Sequence, residues 1–367
     1  MRILALPNSF KGSLSALQTA RVLEKELGKR HAVYAFPVSD GGDGFIDFFT
    51  ALDPKARLVP LRAKNAFLKS RQTAYLLLSD QKTAVVETAR ICGLGRAKKE
   101  ELNPLGASSY GVGQVILQAV QAGAKTVYVG LGGVACNDGG SGAARACGAR
   151  FLDKQGRELP DGAEPLLRLD RLDVSALKHN LKGIKIYAVA DVTNPLLGPK
   201  SSAKVFGPQK GATPAQVKTL DKALAVYARI IQKQTGKDVA RTPSTAAAGA
   251  IAAGLYGLFN AKLLLGADFL FQKAGFEKYA QKADLIITSE GKLDAQTFYG
   301  KAPLAVLKLG KKYKKPVLFI CGKLEEKVLK GTCCAPNRLA VLSDFAQNEA
   351  DAVQHAARYI RRICRTL

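Results

Sequence analysis

Tryptophan is absent from the 367-residue chain, and histidine occurs only three times, at positions 31, 179 and 355. None of the three lies in a glycine-rich motif, so proton transfer falls to Asp or Glu rather than to a histidine base. Seven cysteines (Cys92, Cys136, Cys147, Cys321, Cys333, Cys334 and Cys364) form no CxxC pair and are odd in number. That pattern excludes a regular zinc site or a disulfide framework and leaves reduced, mostly buried thiols. Long apolar runs are missing as well. Residues 1–10 hold only a short apolar stretch before Pro7 and Asn8, too short for a signal peptide, and the most apolar segment, 246–259, ends short of a membrane span. A soluble cytoplasmic protein, with no membrane partner, is the expectation.

Acidic residues are scarce: 55 Lys and Arg against 30 Asp and Glu leave a net charge of +25. Such a surplus invites nucleic acid, but the cations are spread over solvated helix faces such as 308–315 and 358–365, with no RNP, zinc-finger or KH pattern beside them. No specific nucleic-acid partner is expected; an anionic small-molecule substrate suits the same charge.

What is present is an ordinary globular composition, 47% hydrophobic and 23% charged, in a chain long enough for two domains. Its most informative phrases are Asp40-Gly41-Gly42-Asp43-Gly44 and Asp138-Gly139-Gly140-Ser141-Gly142, each between a strand-like and a helix-like run. Strand-to-helix turns are where α/β proteins cradle phosphates, and glycine lets backbone N–H groups approach an anion. Either phrase alone is also ordinary turn chemistry.

Short apolar runs alternate with helical patterns at both ends of the chain. Strands are expected at 3–6 and 32–37, then 284–288, 317–321 and 339–342, with helices at 14–27, 45–51, 297–313 and 350–363. This grammar implies a doubly wound parallel sheet. The middle differs: a β-hairpin within 61–87, a helix at 109–122, strands at 126–129 and 184–189, a polar loop at 191–211 and a helix at 214–235. The expected fold class is α/β in two domains. Residues 1–60 with 282–367 form a domain split in sequence, 61–281 form an inserted α/β domain with a mixed sheet, and the active site lies in the cleft between them.

Several familiar nucleotide motifs fail. Gly130-Leu131-Gly132-Gly133-Val134-Ala135 loosely fits a dinucleotide fingerprint, but Asn137-Asp138-Gly139-Gly140 falls where that motif's helix should be under way. Gly198-Pro199-Lys200-Ser201 and Gly207-Pro208-Gln209-Lys210-Gly211 are not P-loops, and no HRD or DFG set is present. Five polar loops do end apolar runs: 7–13, 39–44, 132–142, 191–211 and 289–297. Their carboxylates, amides, lysines and bare glycines are the inventory of metal-assisted phosphoryl transfer.

On these loops the chain resembles the class I bacterial glycerate kinases. The family phrase APDSFKGSL is similar to Leu6-Pro7-Asn8-Ser9-Phe10-Lys11-Gly12-Ser13-Leu14, and ADGGEGT to residues 39–45. NPL with TTYGTGE is similar to 103–105 and 108–114, and IGGSATNDGGAG to 131–142. CDVxNPLxG, VFGPQKGA and GEGxxDxQTxxGKAP are similar to 190–198, 205–212 and 289–303. The resemblance implies ATP-dependent phosphorylation of D-glycerate to 2-phosphoglycerate with Mg²⁺, by a monomer or homodimer whose split domain is flavodoxin-like. It departs at Asn8 for Asp, at Val134 and Cys136 for Ser and Thr, at Thr193 for an acid, and at 243–250 for a stretch usually richer in glycine. A kinase acting on a related hydroxy acid, or a glycerate- or nucleotide-binding protein without turnover, are the alternatives.

Roles follow from the resemblance. Gly132, Gly133, Asn137, Asp138, Gly139, Gly140, Lys210 and Glu290 are expected at the nucleotide, and Ser9, Lys11, Asp40, Asp294 and Gln296 at glycerate. Lys11 and Lys301 meet anionic oxygens, Asp191 or Asp43 takes the hydroxyl proton, and Asp191 and Asp138 hold the metal.

Overall fold

The computed structural model describes residues 1–10, 12–298, 302–325 and 334–367. In chain order the strands there are β1 (Arg2–Pro7), β2 (Ala32–Ala35), β3 (Arg57–Lys64), β4 (Ser70–Leu77), β5 (Thr83–Glu87), β6 (Thr126–Leu131) and β7 (Arg150–Leu152). They continue with β8 (Arg171–Asp173), β9 (Lys185–Ala190), β10 (Lys262–Leu265), β11 (Leu285–Leu293), β12 (Val317–Leu324) and β13 (Arg338–Val341). The chain divides into two compact units: Met1–Asp40, Asp47–Pro54 and Gly266–Leu367, and Gly41–Ile46 with Lys55–Leu265.

The first unit has a five-stranded parallel sheet in the order β13-β12-β11-β1-β2. Counted within the unit, that is the doubly wound order 2-1-3-4-5, the flavodoxin-like arrangement. Its central strands are apolar on both faces because helices cover both: Ile3, Leu4, Ala5 and Leu6 of β1 are all buried. The helix Ala16–Leu27 starts at a capping box in which Ser15 and Gln18 bond each other's backbone, and it buries Ala20, Leu23 and Leu27. On that side of the sheet Leu23 and Leu27 join Ile3, Ile287 and Ile320 with Tyr359, Ile360 and Ile363 in one core.

The second unit has a mixed six-stranded sheet, β10-β9-β6-β5-β4-β3, and a separate β7–β8 pair. β3 to β5 are joined antiparallel, while β5, β6, β9 and β10 run parallel. Its core gathers Val86, Val127 and Val129 of the sheet with Val112, Val115 and Ile116 of the helix Tyr110–Gln121 and Leu224, Tyr227 and Ile231 of the helix Pro214–Thr235. That long helix has its own capping box at Thr213 and Gln216 and stops at Gly236 in a left-handed C-cap.

Some elements differ from the sequence reading. The hairpin expected within 61–87 is a three-stranded meander, because β3 pairs with β4 over eight residues, from Arg57↔Leu77 to Lys64↔Ser70. The helix expected at 350–363 is two, Glu349–Gln354 and Ala356–Cys364, broken at His355. Residues 41–46 and 55–60, expected with the split domain, group with the second unit, and residues 266–281, expected in the insert, group with the first. Among the described residues no helix is long and apolar enough to cross a membrane.

Candidate active site

In the second unit, three adjacent parallel strands end together. Glu87 of β5 pairs with Gly130 of β6, and Leu131 of β6 pairs with Ala190 of β9. Gly132 and Asp191 therefore leave neighbouring strands at the same level. Carboxyl ends of parallel strands are where α/β sheets receive ligands.

The first Asp-Gly-Gly turn is packed onto this edge. A β-carbon on Gly132 would lie 2.6 Å from the Cα of Gly42, so the two glycine turns touch backbone to backbone, a contact only glycine permits. The Asp43 carboxylate stands beside Gly133: a β-carbon there would lie 3.6 and 3.7 Å from its two oxygens. Glu87, which no motif pointed to, holds the turn in place: its buried Oε2 accepts the Ile46 backbone N–H at 2.9 Å, at the start of the helix Phe45–Leu52. Thr88 bonds the Gly130 carbonyl at 2.8 Å and lies 3.3 Å from the Gly132 nitrogen and carbonyl oxygen. Sequence offers one signal for Glu87, a lone acid closing an apolar strand.

The second turn is built around Asp138. Its fully buried carboxylate accepts from the Ser109 N–H at 2.7 Å, the Ser109 hydroxyl at 2.8 Å, the Gly142 N–H at 3.1 Å and the Gly140 N–H at 3.3 Å. Burial raises its pKa, and the hydrogen bonds from Ser109, Gly142 and Gly140 oppose that rise. Lys210, also buried, donates from Nζ to the Cys136 carbonyl at 2.6 Å and to Asn137 Oδ1 at 3.0 Å, while Asn137 donates to the Pro104 carbonyl at 3.3 Å. Burial pulls the lysine pKa down to about 8. Gly139 donates its N–H to the Gly249 carbonyl at 3.2 Å. A β-carbon on Gly249 would sit 1.9 Å from the Cys136 carbonyl oxygen, so that contact too demands glycine.

Asp138 and Lys210, expected at metal and phosphate, thus have their polar atoms turned into the scaffold of the turn. The replacements Val134 and Cys136 are likewise buried in the core. Hydrogen bonding with Cys92 and burial push the Cys136 thiol well above its ordinary range, so it is no nucleophile. The Asn8 Oδ1 accepts the N–H of the next residue, Ser9, at 2.8 Å.

In the first unit the end of β1 and the second half of β11, which runs on as strand to Leu293 where a polar loop from 289 was expected, lie side by side at the point where strand order reverses. The Asn8 N–H donates to the Ser289 carbonyl at 3.1 Å, and the Ser289 hydroxyl returns a bond to the Asn8 carbonyl at 3.0 Å. Glu290 is buried and accepts the Thr297 hydroxyl at 2.8 Å, and that hydroxyl oxygen accepts the Asp294 N–H at 3.2 Å. Asp294 also lies 3.6 Å from Lys292. Ser9 and Asp40 are half-buried in this unit. A cavity of about 210 Å³ opens beside these strand ends, with Phe10, Ser13, Gly291 and Lys292 in its wall. Lys11 and Lys301 lie outside the described residues, as does the side chain of Gln296, whose backbone belongs to the turn Ala295–Phe298.

Within the second unit, then, Asp43 meets Gly133 in the turn that begins at Gly132, and Asp191 leaves the strand beside it; within the first, Glu290 and Asp294 share Thr297, while Ser9 follows Asn8 on the neighbouring strand end. Among the described residues no three His, Cys, Asp or Glu side chains gather as a metal cluster. Magnesium shared with nucleotide phosphates needs only one or two protein carboxylates.

Comparison with known proteins agrees along the whole chain. The model of the glycerate kinase family matches residues 3–367. The chain is 40% identical to a glycerate kinase of Halalkalibacterium halodurans, over 88% of this chain and 85% of that one. It is 36% identical to glycerate 2-kinase of Escherichia coli, over 89% and 87%. The crystal structure of a protein assigned as glycerate kinase 2 from Salmonella typhimurium LT2 superposes with a TM-score of 0.81 at 33% identity, covering 100% of this chain and 98% of that one.

Proposed function

Since the chain belongs to the glycerate kinase family, we propose that it transfers the γ-phosphoryl group of ATP to the 2-hydroxyl of D-glycerate, giving 2-phosphoglycerate and ADP. The observation that carries this reading is the Asp43 carboxylate beside Gly133, in a turn whose replaced residues, Val134 and Cys136, face the core rather than the ligand. The departures from the family pattern at those two positions therefore remove no donor from the binding face, which supports retained turnover over a binding role alone.

The backbone of 132–140 receives the nucleotide phosphates. Asp138 and Lys210 act beneath it as struts, which revises the metal and phosphate roles expected of them. Asp191, with Asp43, supplies carboxylate oxygen for Mg²⁺, whose chemistry when bound is to neutralise charge on the phosphate oxygens. Asp43 or Asp191 orients the glycerate hydroxyl and accepts its proton as the new O–P bond forms and the bond to ADP breaks. On the same reading Ser9, Asp40, Asp294 and Gln296 meet glycerate, Lys11 and Lys301 meet anionic oxygens of glycerate or of the transferring group, and Glu290 serves the nucleotide. On this reading the protein works in the cytoplasm as a monomer or homodimer.

The test is Asp191→Asn, assayed with ATP, Mg²⁺ and D-glycerate. The roles above require kcat to fall by about a hundredfold or more. A kcat within about threefold of wild type would exclude Asp191 as proton acceptor.

A further inference from the structure

Apart from the turns described above, the second unit holds a cavity of about 190 Å³ between the β3–β4 hairpin and the segment after β5. Among the described residues its wall carries three arginines, Arg71, Arg90 and Arg96, with Asn65, Phe67 and Ile91, and no Asp or Glu. Arg90 is partly neutralised, its Nε lying 3.9 Å from Glu87. Among the described residues, the side chains of Arg71 and Arg96 have neither a hydrogen-bond nor an ion-pair partner. The Asn65 Oδ1 accepts the Phe67 and Lys69 N–H groups at 3.0 Å each, which turns its amide nitrogen into the remaining donor.

One side of the wall, the backbone of residues 92–94, is tied to the neighbouring turn, while Arg71 and Arg96 reach out as exposed side chains. Leu94 donates its N–H to the Gly133 carbonyl at 2.6 Å, Ala135 donates to the Cys92 carbonyl at 2.8 Å, and Gly93 and Val134 form an antiparallel bridge. Guanidinium groups on a pre-organised frame recognise planar or tetrahedral oxyanions by paired hydrogen bonds, at little ordering cost to the backbone. A single carboxylate would leave one arginine unmatched, whereas a dianion engages both.

We propose that this cavity is a binding site for a small dianion of the phosphate or short dicarboxylate class, with Arg71 and Arg96 as its principal donors. The proposal stands apart from the catalytic reading, because it needs no turnover.

Calorimetric titration of the full chain with inorganic phosphate and with malonate tests it, with ADP, Mg²⁺ and D-glycerate present at saturation to fill the proposed catalytic site. One equivalent of either anion should bind, and Arg71→Ser and Arg96→Ser should each weaken binding by about tenfold or more. The double variant Lys308→Ser/Lys311→Ser, which removes two positive charges from the helix Ala302–Tyr313, should stay within about twofold. Thermal unfolding without added anion checks that each variant is folded. No binding to wild type, arginine variants within about threefold of it, or an equal loss in the lysine variant would overturn the proposal.

Discussion

Asp43 holds its carboxylate against the backbone of Gly133, so that a β-carbon on that glycine would lie 3.6 Å from Oδ1. A phosphate received at this turn would be repelled by the exposed Asp43 carboxylate unless a cation or a transferable proton intervenes. Asp43→Asn keeps shape and removes charge. It should lower kcat by about a hundredfold or more, as steady-state kinetics will report.

Contact between the two glycine turns is a separate requirement. Gly132→Ala would place a methyl group 2.6 Å from the Gly42 Cα, where only backbone movement can relieve it. A loss of about 1–3 kcal/mol in stability is expected, with a fall in kcat/KM for ATP. Gly95→Ala, where nothing lies within 4 Å of the added carbon, is the control and should be near neutral in denaturant unfolding.

The buried Lys210 predicts a pH dependence of known sign. Burial depresses its pKa from 10.5 to about 8, so the folded chain releases this proton before the unfolded chain does. Between about pH 8 and 10.5 the unfolded state binds more protons, and stability from this group rises with pH across that window. Below pH 8 the cost of the buried ammonium is present in full. Lys210→Met abolishes the effect, so the stability of wild type minus that of the variant should climb with a limiting slope of about 1.4 kcal/mol per pH unit. Chemical denaturation of both proteins at a series of pH values measures it, and a flat difference would contradict the assignment.

Ala248 sits in the left-handed region at φ 52°, beside Ala250 at 65° and Ser244 at 70°. That conformation costs an L-residue about 1–2 kcal/mol, and it occurs in the stretch that is poorer in glycine than the family pattern. Elsewhere Ala→Gly destabilises a helix by about 1 kcal/mol. Ala248→Gly should instead be neutral or stabilising by about 0.5–1 kcal/mol, since the strain relieved exceeds the entropy added to the unfolded chain. Denaturant midpoints decide the sign.

Much of this was legible in the sequence because apolar runs act locally. The buried run 3–6, the helices read at 14–27 and 214–235, and the two Asp-Gly-Gly phrases each carry their structural consequence within a few residues. Side-chain direction does not. Asp138 and Lys210 read as ligand-facing groups in a polar loop, yet partners 29 and 74 residues away, Ser109 and Cys136, draw their polar atoms inward. Glu87 was missed for the same reason: its value lies in Ile46, 41 residues earlier. The break at His355 was hidden because the apolar spacing of 350–363 continues through it.

The central claim is phosphorylation of D-glycerate at its 2-hydroxyl. Purified protein incubated with ATP, Mg²⁺ and D-glycerate, followed by ADP release and by ³¹P and ¹³C NMR of the product, tests it most directly. Glycerate-dependent ADP formation, with the product's proton-coupled ³¹P signal a doublet from the single hydrogen on carbon 2 rather than a triplet from two on carbon 3, is the predicted result. ADP no higher than in the glycerate-free control, with glycerate or nucleotide still bound in calorimetry, would contradict it and identify a binding protein instead.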